Sequence, residues 1–295
     1  MKKREDGRKR TREPAAHQPA ARKPARRERI ETRNDTFQIL QALKTNRHKR
    51  SELGEAFVEG IEAIKQAERA RCEITRVLFA DFAELSDWAK EFVGRHADAA
   101  SVELGNGLFA ELADRDEPSE LMLTVSTPRV ALREVVLPAN PLVLVFDRPS
   151  DRGNLGSVIR SANAFGVDLV VITGHAVDAR DPKVIRSSLG AVFHTPVVQA
   201  ESHEELSAFF EKLERDSGLT VVGTDSTGAI PLQEAELSRP LAVVLGNEAK
   251  GMSVRLKELV GGTVSIPMVG EVNSLNVACA ATAILWHVLS REVSR

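Results

Sequence analysis

The stretch from Leu142 to Gly174, LVLVFDRPSDRGNLGSVIRSANAFGVDLVVITG, constrains this chain more than any other. It opens and closes on runs of Val, Leu and Ile without polar alternation, as strands buried on two faces do, and a helical segment lies between them. Strand, helix and strand in that order make a βαβ unit, which implies a mainly parallel sheet wrapped by helices. Its turn holds Asp147, Arg148, Asp151, Arg152, Gly153, Asn154 and Gly156 before helical Arg160. Open α/β sheets place ligands at the carboxyl ends of their strands, so a site is expected here. Gly153 and Gly156 give G-x-x-G, which is neither the dinucleotide fingerprint nor the phosphate loop, and a Rossmann-type oxidoreductase is disfavoured.

The remaining strands point the same way. LTVVGTD, LAVVLGNE and TVSIPM read as short buried strands, DPKVIRSSLGAVFHTPVV as a short helix from Pro182 and a strand ending near Val198, and residues 203–216 and NSLNVACAATAILWHVLSR as helices. Upstream, residues 36–47 place Phe37, Leu40 and Leu43 at helical spacing, followed by the basic run Arg47-His48-Lys49-Arg50. FVEGIEAIKQAERAR reads as a helix with Phe57, Ile61 and Ile64 on one face, and ITRVLFA as a strand. Asp81 is placed to cap a helix holding Leu85, Trp88 and Phe92, and a further helix and the strand LMLTVS complete a small α/β domain. The organisation expected is a tail over residues 1–33, a small α/β domain over 34–127, a proline-bearing linker over 128–141 and an α/β domain over 142–295.

Charge separates the tail from the rest. Residues 1–33 carry thirteen Lys/Arg against five Asp/Glu, a balance of +8, so the remainder carries −10 of the formal net charge of −2. A Pro/Ala/Arg-rich segment with no bulky apolar residue before Ile30 cannot bury enough surface to fold alone, and its charge suits a polyanion such as RNA. The N-terminus is too polar for a secretory signal and no apolar run spans a bilayer, so a cytoplasmic protein is expected, with no membrane partner. Cys72 and Cys279 stand apart from other metal-ligating residues, which predicts small core residues and no metal. His175 and His194 lack a partner cluster and read as structural. Lys183 and Arg186 are spaced to reach a phosphate or to solvate a helix face.

Three polar loops each follow an apolar strand: Arg152-Gly153-Asn154-Leu155-Gly156 with Arg160, then Leu245-Gly246-Asn247-Glu248 with Gly251, then Ile266-Pro267-Met268 with Ser274-Leu275-Asn276. Together they resemble the three motifs of the SpoU/TrmH family of RNA ribose 2′-O-methyltransferases, a branch of the SPOUT class. N-x-G-x-x-x-R, G-N-E-x-x-G and I-P-M followed by S-L-N-V stand in the family's order and spacing. More loosely, F-V-E-G at Phe57–Gly60 resembles the start of the ribosomal-protein-like RNA-binding domain often attached to it.

The resemblance implies a trefoil-knotted α/β fold that binds S-adenosylmethionine in the knot and forms a homodimer through it. It implies that Gly246, Ile266 and Leu275 contact the cofactor through backbone groups. Independently of the family, Ile266, Met268 and Leu275 offer apolar surface to an adenine ring, and Gly246 permits close backbone approach. Arg160, one turn into its helix, is expected to fork onto the target phosphate and stabilise charge on the 2′ oxygen, since a guanidinium rarely gives up its proton. Glu248 is expected to orient Arg160 by an ion pair. Asn154, Ser274 and Asn276 are expected to hold the ribose, the methionine end or each other, and all three also stand where helix N-caps are expected. The activity implied is S-adenosylmethionine-dependent methyl transfer to ribosomal RNA. The alternatives are a transfer-RNA 2′-O-methyltransferase and a non-catalytic RNA-binding or assembly factor of the same fold.

Overall fold

The computed structural model describes residues 27–114, 118–271 and 274–293. The N-terminal part is built from β1 (Arg27–Ile30), α1 (Asp35–Thr45), α2 (Arg47–Leu53), β2 (Glu55–Glu59), α3 (Ile61–Arg69), β3 (Ile74–Phe79), α4 (Asp87–Arg95), β4 (Ala100–Leu104), α5 (Asn106–Leu112) and β5 (Met122–Ser126). Its five strands form one sheet in the order β1-β4-β3-β5-β2, with β5 antiparallel to both of its neighbours.

Three expectations for this part need correction. The basic tail was expected to run to Arg33, but Arg27–Ile30 pairs in parallel with Ser101–Leu104. The edge of β4 would otherwise leave its main-chain groups unpaired, Glu103 draws in Arg27 and Arg29 as ion partners, and Ile30, at 2% exposure, joins the core of Phe37 and Leu40. The part of the tail before Arg27 lies outside the described residues. Second, Phe57 is not on a helix: Glu55–Glu59 is a strand, and the helix starts only after Gly60, whose φ of 102° interrupts any continuous helix. Ile61 is accordingly exposed. Third, Ser86 rather than Asp81 caps α4, accepting from the Ala89 N–H at 3.3 Å. Asp81 instead accepts from Ala83 N–H in the preceding turn.

The second part comprises β6 (Leu142–Phe146), α6 (Arg152–Ala164), β7 (Leu169–Ile172), α7 (Pro182–Ser187), β8 (Val197–Gln199), α8 (His203–Ser217), β9 (Thr220–Thr224), β10 (Ile230–Pro231), β11 (Leu241–Leu245), α9 (Val254–Lys257), β12 (Thr263–Ser265) and α10 (Val277–Val293). Its seven strands run in the order β10-β12-β9-β11-β6-β7-β8, and every pairing is parallel. Alternate residues of β6 face opposite layers. Leu142, Leu144 and Phe146 pack with Leu155, Val158 and Ile159 of α6 and with Ile284, Leu285 and Val288 of α10. Val143 and Val145 pack with Leu206, Phe209 and Phe210 of α8 and with Leu256 of α9. The stretch 128–141 contains a 3-10 turn at Leu132–Glu134 whose Leu132 is buried in the α8 layer.

The two sheets are joined through α7. Ile185 is buried in the N-terminal core with Ala63, Ile64 and Ala67, while Arg186 pairs with Glu59 and Asp114, so Arg186 is engaged by carboxylates and Lys183 alone of the pair is exposed. His194 bonds Gln66 at 2.8 Å. Cys72 is partly buried, but Cys279 is exposed on the outer side of α10, against the expectation of a core residue; the buried side of that helix is taken by Ala278, Ala281 and Ile284. No helix among the described residues is long and apolar enough to cross a membrane.

Candidate functional site

In the second sheet β6 leads to β7 on one side and pairs with β11 on the other, so the chain changes direction across the sheet at the β6–β11 pair. That crevice is where a doubly wound sheet offers a ligand site. The loops after these two strands are riveted together. Asp147, fully buried, accepts from Arg148 Nε at 2.9 Å and Nη2 at 2.8 Å, from Thr173 Oγ1 at 2.8 Å and from the Ser253 N–H at 2.8 Å. Burial pushes its carboxyl up, but these donors outweigh burial and hold it below the usual range. Arg148 takes the left-handed conformation at φ 48°, and its carbonyl accepts from Asn247 Nδ2 at 2.8 Å. Asp147 and Arg148, two of the charges in the turn, therefore brace it.

Glu248 crosses the crevice from the β11 loop. Its carboxylate accepts from Ser150 Oγ at 2.9 Å, from the Ser150 N–H at 3.2 Å, from the Asp151 N–H at 3.2 Å and from Asn247 Nδ2 at 3.1 Å. Burial again raises the carboxyl, and backbone N–H groups with the Ser150 hydroxyl lower it further than burial raises it. The expected Glu248–Arg160 ion pair does not form, because these donors occupy the carboxylate while Arg160 lies on the exposed side of α6. Ser150 gives both its N–H and its hydroxyl to this contact and is not singled out by the sequence; a serine in a turn has no pattern that reveals its partner 98 positions away.

Asn154 links the first loop to the third. Its Nδ2 donates to Glu248 at 3.4 Å, and its Oδ1 accepts from Asn276 Nδ2 at 2.9 Å. Asp151, not Asn154, caps α6, accepting from the Asn154 N–H at 2.8 Å. The helix thus begins at Arg152, and Arg160 sits two turns in rather than one, with an exposed guanidinium that makes no hydrogen bond or ion pair among the described residues. Asn276 Oδ1 accepts from the Ala278 N–H at 2.8 Å, so this residue caps α10 as well as holding Asn154. Ser274 is exposed in the loop before it and makes no such contact.

Of the apolar candidates, Ile266 is half-buried against the α6–α10 core layer, Met268 is half-buried, and Leu275 is 47% exposed beside Asn276. Among the described residues the main chain of Met268 and Leu275 makes no hydrogen bond within the protein. Gly246 packs closely against its own loop: a Cβ there would stand 2.6 Å from Gly251 C and Met252 N. That loop closes through paired Asn247–Gly251 main-chain bonds of 3.0 and 2.9 Å. No group of three or more His, Cys, Asp or Glu among the described residues is placed to hold a metal.

Comparison with known proteins assigns this arrangement. Residues 141–286 match the SpoU rRNA Methylase family and residues 34–124 the SpoU L30e-like domain. The 23S rRNA (uridine(2479)-2′-O)-methyltransferase of Streptomyces viridochromogenes is 37% identical over 269 residues, which are 90% of this chain and 93% of that protein. The chain belongs to the SpoU rRNA methylase family. The crystal structure of the SpoU methyltransferase AviRb from the same organism, in complex with AdoMet, superposes with a TM-score of 0.83 over 89% of this chain and 99% of that one. The 23S rRNA (guanosine(2553)-2′-O)-methyltransferase RlmP of Bacillus subtilis is 32% identical over 63% of this chain and 71% of its own length. In SpoU terms, the three loops expected from the sequence are those held together here, and the residues present suit S-adenosylmethionine. Leu275 and Met268 offer apolar surface and main-chain groups that make no hydrogen bond among the described residues, and Leu275 adjoins Asn276 at the end of the polar line running from Glu248 through Asn154.

Proposed function

We propose that the chain transfers a methyl group from S-adenosylmethionine to a ribose 2′-hydroxyl in ribosomal RNA. The observation that carries this reading is the hydrogen-bonded line Glu248–Asn154–Asn276, which gathers three strand-end loops into one site. S-adenosylmethionine supplies a methyl group activated on a cationic sulfonium. Ile266, Leu275 and Met268 would seat its adenine against apolar surface, with Gly246 shaping the loop beside them.

Asn154 and Asn276 orient the acceptor, Ser274 adds an exposed hydroxyl at the loop's rim, and Glu248 fixes the turn that carries Asn154. Arg160 has an unengaged guanidinium on the exposed side of the same helix. It forks onto an RNA phosphate and stabilises negative charge growing on the 2′ oxygen as its proton passes to that phosphate or to water. The remaining work is alignment, which the three joined loops provide.

The active form we propose is a cytoplasmic homodimer. Cys279, Ala283, Trp286, Ser290 and Val293 lie on one stripe of α10 away from the core, with Trp286 58% and Val293 79% exposed. A second copy packed there would cover them. The knot implied by the family resemblance belongs to the same proposal. The test of the function is incubation of ribosomal RNA and, separately, of transfer RNA with labelled S-adenosylmethionine, followed by mapping of 2′-O-methyl positions. One new ribose methylation is expected, whereas cofactor binding without transfer to any ribosomal RNA favours the non-catalytic reading, and transfer to transfer RNA alone favours the other.

A further inference from the structure

Arg50 lies in the basic run 47–50 that follows α1, yet its side chain is only 2% exposed. A buried guanidinium needs hydrogen-bond partners, and each of its three nitrogens has one here. Nη1 donates to the carbonyls of Leu43 at 3.0 Å and Lys44 at 3.2 Å, closing the end of α1. Nε donates to Asp178 Oδ2 at 2.7 Å, and Nη2 reaches Asp181 Oδ2 at 3.5 Å. Arg50 belongs to the N-terminal part, whereas Asp178 and Asp181 lie just before α7 in the second part.

Asp181 divides its two oxygens. Oδ1 caps α7 by accepting from the Lys183 N–H at 3.0 Å, and Oδ2 is shared between Arg50 and Arg152, whose Nε lies at 2.9 Å. Arg152 is the first residue of α6, the helix that carries Asn154 two positions later. The two helices are pressed together at that turn. Ser187 Oγ donates to the Arg152 carbonyl at 3.2 Å, and a Cβ at Gly156 would stand 2.8 Å from the Val184 carbonyl oxygen.

We propose that Arg50 is a positioning residue for methyl transfer: through Asp181 and Arg152 it sets the first turn of α6, and so Asn154, relative to the N-terminal part. This inference rests on the proposed role of Asn154 at the acceptor. A domain that grips RNA can present the correct ribose only if its placement and the acceptor turn are fixed together. One carboxylate oxygen shared by arginines from both parts does this. The effect falls on the chemical step rather than on binding, since neither Arg50 nor Asp181 needs to touch RNA or cofactor.

The test uses the full chain with ribosomal RNA and S-adenosylmethionine. Asp181→Asn keeps an oxygen to cap α7 and removes the charge that both arginines share; Arg152→Met acts at a side chain 54% exposed, where folding is not at stake. Single-turnover rate, RNA affinity and cofactor affinity are measured for each and for the double variant. We expect about a tenfold lower rate in each single variant, affinities within about twofold of the parent, and a double variant no slower than Asp181→Asn. Arg50→Lys should show a comparable loss of rate, having no fork to span Asp178 and Asp181. Parental rates in Arg152→Met, or losses that multiply in the double variant, overturn the proposal. Should Asp181→Asn fail to fold, the rate of Arg152→Met alone decides. A parent protein that transfers no methyl group at all would instead refute the proposed function.

Discussion

Asn276 donates from Nδ2 to Oδ1 of Asn154 at 2.9 Å, joining residues 122 positions apart in the chain. The same asparagine caps α10, so one side chain ties the long C-terminal helix to the turn that carries Asn154. Asn276→Ala should remove both contacts and cost about 1 kcal/mol for the cap. Asn276→Asp keeps the cap acceptor and loses the donor to Asn154. Thermal unfolding and methyl-transfer rates for both variants separate the roles, with Asp expected to preserve stability better than Ala while both lose rate.

Glu248 gives a pH dependence of known sign. Its folded carboxyl lies below the ordinary value, so its contribution to stability is fully present above the unfolded value of about 4.3 and is lost as pH falls through the folded value. Glu248→Gln should therefore be less stable than the parent at neutral pH, and the gap should close under acid. Melting temperatures of both proteins over a pH series check this; a gap that widens toward acid would contradict it.

Gly156 marks the closest approach of α6 to α7. Gly156→Ala would place a Cβ 2.8 Å from the Val184 carbonyl oxygen, which belongs to the backbone and must move. The expected loss is about 1–3 kcal/mol of stability, with a larger fall in methyl transfer than an equally destabilising substitution in the α8 layer, such as Leu206→Ala, produces. Denaturant titration beside rate measurement distinguishes the two.

The exposed stripe of α10 predicts an effect on assembly. Trp286→Glu places a charge where a partner copy is proposed to pack, while leaving the buried side with Ile284, Leu285 and Val288 untouched. Sedimentation should show the parent as a dimer and the variant shifted toward monomer.

How much of this was legible in the sequence depended on whether a signal was local. The β6–α6–β7 unit could be read because strands buried on both faces leave continuous apolar runs. Phe57, Ile61 and Ile64 misled because their spacing suits a helix, whereas Gly60 at φ 102° divides a strand from a helix inside that pattern. Arg50 is one of a basic run in the sequence, and its burial against Asp178 and Asp181, 128 and 131 positions away, is set by tertiary packing. In the site, Asn154, Glu248 and Asn276 were identified and lie together. The partner of Glu248 was misassigned, since choosing between Arg160 and the N–H groups of residues 150 and 151 requires the path of the turn.

In the proposed reaction Arg160 serves the RNA side while the β11 loop, Ile266, Met268 and Leu275 serve the cofactor. Single-turnover methylation of ribosomal RNA by Arg160→Ala, measured beside cofactor affinity by calorimetry, tests it most directly. A rate lower by about 100-fold or more is expected, with cofactor affinity within about twofold of the parent. A parental rate, or lost cofactor affinity in a folded variant, would contradict it.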